Sequence, residues 1–249
     1  MPYGKKIIES ILKENEAFIN NVFFFFQRNS HILSNFRLLK KCFTNKKNPN
    51  VKCSSFFSIC FLSVIISDKI ISQKRGIINN EKDLQLVYYS SLNIASKFES
   101  QHYIPYSVFE KVPKSLVKKG EVAEYERKIN GFLNFEYDTV YPTDILNVYQ
   151  LVDKTDSNEE ITKQCKLLLL FVIFNKVFAR KKKELVVLVA YYFVKSRIQG
   201  QLKWSYDLQL ITGVEKTTII NNIIKLAKEI KDHYKLFFWL KQNYYNILI

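Results

Sequence analysis

Residues 84–99 read Leu84-Gln85-Leu86-Val87-Tyr88-Tyr89-Ser90-Ser91-Leu92-Asn93-Ile94-Ala95-Ser96-Lys97-Phe98-Glu99. They form most of a helix expected over residues 81–98, entered through the loop around Gly76 and Asn79-Asn80. The small residues in its middle, Ser90, Ser91, Ala95 and Ser96, let neighbouring helices approach closely. That marks it as a central helix around which others pack. Upstream, apolar spacing predicts helices at about 5–27, 31–43 and 54–72, with a polar loop at Asn45–Asn50. Downstream, Pro105 opens a short helical piece that ends before Pro113, and Gly120 precedes a helix over about 121–134. An extended piece, Asn134–Tyr141, then leads to Pro142-Thr143-Asp144. Proline in a first turn with an acid behind it marks a new helix, and a domain boundary is placed there.

Further helices are expected at about 143–153, 158–178, 183–198, 203–212 and 215–231, with a tail helix over 233–248. Each half holds five helices, and in each the third carries an apolar stretch, 87–96 and then Leu185–Val194. The reading is therefore all-α: two tandem five-helix bundles, 31–141 and 142–231, with an N-terminal helix in 1–30 and a C-terminal helix in 232–249.

Composition agrees. Six glycines and five prolines in 249 residues leave few turn-formers for an all-β chain, while 47% apolar content supplies a core. The net charge of +15 suits nucleic acid, an anionic membrane or an acidic protein face. The lysines are spread along the whole chain, however, and an AT-rich genome would place them on solvated helix faces. Cys42, Cys53, Cys60 and Cys165 form no CxxC pair, and no Cys/His cluster has zinc spacing. Neither disulfide, metal nor cofactor is expected. The apolar runs 54–67 and 167–174 read as too short to cross a bilayer, so no membrane partner is expected.

Several pieces together resemble the cyclin box. Ala95-Ser96-Lys97-Phe98-Glu99 is similar to that family's Ala-Ser-Lys-(Phe/Tyr)-Glu signature. Glu126, Leu133-Asn134-Phe135 and Pro142-Thr143 resemble its Met-Glu…Leu-x-Phe…Pro-Thr pattern. Ile66-Ser67-Asp68-Lys69-Ile70-Ile71-Ser72 resembles Ile-Asp-Arg-Phe-Leu-Ser, and Trp204 with Leu210-Ile211-Thr212-Gly213 is similar to the second repeat. The resemblance implies a regulatory subunit without catalysis of its own, nuclear or cytoplasmic, that forms a heterodimer with a cyclin-dependent protein kinase and activates it. It implies that Lys97 and Glu126 bond the kinase backbone and that Ile94, Phe135 and Tyr137 match kinase-contact positions, with Phe98 a further apolar neighbour. It assigns Leu86 and Asp68 to the scaffold, with Arg37 on the first helix as the arginine paired to Asp68.

The departures also matter. The first helix, Phe36-Arg37-Leu38-Leu39-Lys40-Lys41-Cys42-Phe43, lacks the tryptophan and the Met-Arg-Ala-Ile-Leu run of a substrate-docking groove, and Asn130 stands where the kinase face is usually apolar. The alternative reading is a general transcription factor of the IIB type, which shares this fold and binds DNA. Those proteins usually carry an N-terminal zinc ribbon with CxxC pairs, which this chain lacks, so nucleic acid is not the expected partner. His31, His102 and His233 are far apart and read as surface or capping residues. Acids at Glu121/Glu124/Glu126 and Glu159-Glu160 read as first-turn or solvated residues. The aromatic runs Phe23–Phe26, Phe56-Phe57 and Phe237-Phe238-Trp239 read as packing, with partner surfaces the alternative for those in the N- and C-terminal helices.

Overall fold

The computed structural model describes residues 28–42, 54–73, 78–100, 104–112, 115–137, 140–154, 158–179 and 181–245. The expected helix at 5–27 and the loop at Asn45–Asn50 lie outside the described residues. Among those described there is no strand. The helices are α1 (28–42), α2 (Ser54–Gln73), α3 (Glu81–Glu99), α4 (Tyr106–Glu110), α5 (Glu121–Leu133) and α6 (Pro142–Val152). They continue with α7 (Glu159–Ile173), α8 (Lys176–Ala179), α9 (Lys183–Gln199), α10 (Tyr206–Thr212), α11 (Lys216–Asp232) and α12 (Tyr234–Tyr244).

α3 is buried without a break from Leu84 to Ser96, as its small residues require. Asn80 starts it by accepting from the Asp83 N–H at 2.9 Å, and Asp83 accepts in return from the Asn79 N–H at 3.1 Å. Ser90 lets α5 come close enough for its hydroxyl to donate to the Val122 carbonyl at 3.1 Å. Asn35 of α1 donates to the Tyr88 carbonyl at 2.8 Å. α2 and α5 pack on α3, and α9 takes the same place in the second half, buried from Val186 to Lys195 and packed by α6, α7 and α11. Asp144 closes a reciprocal cap at the start of α6, its carboxylate accepting from the Tyr141 N–H at 3.0 Å.

Two features differ from the sequence reading. The helix expected at 158–178 breaks at Phe174-Asn175 because Asn175 caps a new helix: its side-chain oxygen accepts from the N–H groups of Val177 and Phe178 at 2.9 and 3.2 Å. The freed carbonyls at the end of α7 are taken by α1. Arg28 donates to Ile173 O at 2.9 Å and Asn29 to Phe174 O at 3.0 Å. The segment after α5 begins with a turn rather than an extended strand, since Asn134 and Phe135 both have left-handed φ, 50° and 58°.

α2 ends at Gln73, one residue from the end expected at 72, and so is longer than the apolar run 54–67 within it. By length and composition, Ser55–Gln73 is long and apolar enough to cross a membrane, with mean hydropathy 1.7. In the fold its apolar residues, including Phe56, Phe57, Ile59, Cys60, Leu62, Ile66 and Ile70, are buried in the core.

Candidate functional site

Lys97 lies in the last turn of α3, where the helix dipole favours a cation. Glu126 faces it from α5. Lys97 Nζ donates to Glu126 Oε1 at 2.7 Å. Asn93, one turn before Lys97, donates to Glu126 Oε2 at 3.0 Å. Tyr106, the first residue of α4, lies between the two charges: its hydroxyl accepts from Lys97 Nζ at 2.9 Å and donates to Glu126 Oε2 at 2.8 Å. The Lys97 ammonium also sits 5.0 Å from the centre of the Tyr106 ring. Partial burial opposes the lysine's charge, but its bonds to Glu126 and Tyr106 outweigh that and hold its pKa above the ordinary value. The side chain of Lys97 is 37% exposed and that of Glu126 only 10%. The pair is thus a sunken carboxylate with its cation at the surface.

The apolar residues named from sequence fall into two kinds. Phe98 and Phe135 are open to solvent, at 53% and 69%, while Ile94 and Tyr137 are buried. The Phe98 and Tyr137 rings meet edge-on with centroids 5.8 Å apart, so the ends of α3 and α5 share one face. The Tyr137 hydroxyl donates to Asn130, which explains a polar residue at that position. Phe135 holds a bulky side chain in left-handed backbone, a conformation that costs roughly 1–2 kcal/mol and that concentrates at working surfaces.

The scaffold pair needs correction. Asp68 is bound by Arg28, not Arg37. Arg28 makes a two-pronged contact, Nε to Oδ1 at 2.8 Å and Nη2 to Oδ2 at 2.6 Å. Arg37 is nine residues further along α1, which is about half a turn round the helix and so the opposite face. Its guanidinium lies 5.0 Å from the Trp239 ring of α12. Leu86 is buried in the core as expected.

His31 is also inside, stacked on Tyr88 with ring centroids 5.2 Å apart, rather than at the surface; His102 lies outside the described residues. Glu126 differs from its neighbours Glu121 and Glu124 in being buried, while Phe56 and Phe57 are core as expected. Sequence reasoning missed Tyr106, Asn93 and Arg28. It also missed the buried contact in the second half, where Asp153 takes Lys195 and the Tyr191 hydroxyl together. The available signal was Lys195 itself, a lysine directly after the apolar stretch Leu185–Val194, as Lys97 directly follows the stretch 87–96.

Among the described residues no group of His, Cys, Asp and Glu could hold a metal ion. A family model, the cyclin N-terminal domain, matches residues 7–138, a little over half of the chain. The comparison with curated proteins gives no match.

Proposed function

The chain belongs to the cyclin family, and on that premise we propose that it is the regulatory subunit of a cyclin-dependent protein kinase, working in the nucleus, the cytoplasm or both. Members of the family are regulatory proteins rather than enzymes. The observation that carries the reading is the Lys97–Glu126 pair at 2.7 Å, its lysine reaching the surface beside the exposed Phe98 and Phe135. A donor-only cation next to an acceptor-only anion answers the carbonyl and amide of one backbone segment. The two phenylalanines supply apolar area that a partner would bury, within a contact of roughly 1,600 Å² in total.

Activation in this scheme is allosteric. The α3/α5 face presses on the kinase's regulatory helix and holds the kinase's own catalytic Lys–Glu pair closed. No proton or phosphoryl group passes through this chain. The second half, α6–α11, is proposed to be a second cyclin-like bundle that braces the first through the Arg28 and Asn29 contacts to α7. The test is phosphotransfer by a monomeric cyclin-dependent kinase to a peptide substrate, measured with and without the purified chain. Activation that is lost in Lys97→Ala and Glu126→Ala supports the reading. Kinase activity indifferent to the chain across the panel of such kinases contradicts it.

A further inference from the structure

We infer that Tyr106 is a positioning residue for the partner-binding pair: its hydroxyl fixes Lys97 and Glu126 at their binding spacing before any partner arrives. The inference rests on the reading of that pair as the kinase contact.

Tyr106 is held from both sides. Two residues before it, Ile104 is buried and its N–H reaches Ser96 Oγ at 3.4 Å. Three residues after it, Phe109 is fully buried against Tyr89, ring centroids 5.2 Å apart. The Val108 N–H bonds the Pro105 carbonyl at 2.9 Å and closes the first turn of α4. The hydroxyl therefore reaches the ion pair from a clamped backbone. Its lone pair takes one Lys97 proton and its own proton goes to Glu126 Oε2, which closes a ring of three hydrogen bonds with the 2.7 Å ion pair.

The ring also settles what remains for a partner. An ammonium has three donors, and Glu126 and Tyr106 use two. A carboxylate has about four acceptor positions, and Lys97, Tyr106 and Asn93 use three. Among the described residues, one donor on Lys97 and one acceptor position on Glu126 are left over. A partner carboxylate or guanidinium wants two parallel bonds of one kind, which this site does not offer. A single peptide unit, with one carbonyl and one N–H, fits it. Without the hydroxyl, Lys97 and Glu126 would each gain a free direction and rehydrate, and a partner would have to order them on binding.

The test is Tyr106→Phe, which keeps the ring over Lys97 and removes only the oxygen. Two readouts are taken. The first needs no partner: NMR titration of the Lys97 side-chain ammonium, which should ionise at lower pH in the variant than in the wild type. The second is affinity for a purified cyclin-dependent kinase that the wild-type chain retains, which should fall about tenfold. In the Glu126→Ala background the same substitution should add no further loss. An unchanged Lys97 titration overturns the inference. So does a lowered titration with kinase affinity unchanged or tighter, provided Lys97→Ala abolishes binding. A wild-type chain that retains no kinase overturns the parent reading instead, and the partner-free titration tells the two failures apart.

Discussion

Replacing Arg28 with alanine removes hydrogen bonds of 2.8 and 2.6 Å to the Asp68 carboxylate, 2.9 Å to the Ile173 carbonyl and 3.2 Å to the Asn29 side-chain oxygen. Breaking a fully buried, hydrogen-bonded ion pair costs about 3–5 kcal/mol, because the charge left behind is unpaired. Here the orphaned group is Asp68, whose side chain is 41% exposed. Water can reach it, so the cost drops to about 2–3 kcal/mol, part of it from the stranded carbonyl at the end of α7. Arg37→Ala removes the contact that its exposed guanidinium makes with the Trp239 ring and should cost about 0.5–1 kcal/mol. Urea denaturation followed by far-UV circular dichroism separates the two. A double-mutant cycle adds the decisive number: Arg28 and Asp68 should couple by about 1–2 kcal/mol, and Arg37 and Asp68 by roughly nothing. A larger loss in Arg37→Ala, or coupling between Arg37 and Asp68, would refute the assignment of Arg28.

Three further perturbations probe other parts of the fold. Asp153→Asn leaves the Lys195 charge buried without its partner, both side chains being under 10% exposed; the expected loss is about 3 kcal/mol in urea, and Asp153→Ala with Lys195→Met should recover most of it. His31 is held below the ordinary histidine value by burial, against the opposing charge of Glu81. The unfolded chain therefore binds the proton more readily, and stability should fall as pH drops below about 6.5; His31→Phe should show a flatter profile between pH 7.5 and 5.5, and an equal or steeper one would contradict this. Phe135→Gly removes the left-handed strain and should raise stability by about 1 kcal/mol while weakening kinase binding, with denaturation and affinity measured on the same preparation.

Much of this was readable from residues 84–99 outward. The small residues of α3 announced a helix packed on several sides, and Ser90 against Val122 is the contact they permit. Lys97 and Glu126 were placed together by a family pattern, and the structure brings them to 2.7 Å. Arg28 was hidden by a boundary: a helix begun at 31 leaves it in a loop, while α1 already includes it at 28. Tyr106 gave no periodic signal, since its role depends on where a five-residue helix folds back, which spacing does not encode. The break at Asn175 was masked by apolar residues on both sides, because asparagine inside such a run looks like a tolerated helix residue until its side chain is seen capping the next turn.

If the Lys97–Glu126 face receives a kinase, the wild-type chain should hold one in the cell. The most direct measurement is capture by the tagged chain from native lysate, identified by mass spectrometry, with the Lys97→Ala/Glu126→Ala double variant alongside. A cyclin-dependent kinase should be enriched by the wild type and lost from the variant, which still folds. Nucleic acid or polymerase subunits captured equally by both would contradict it.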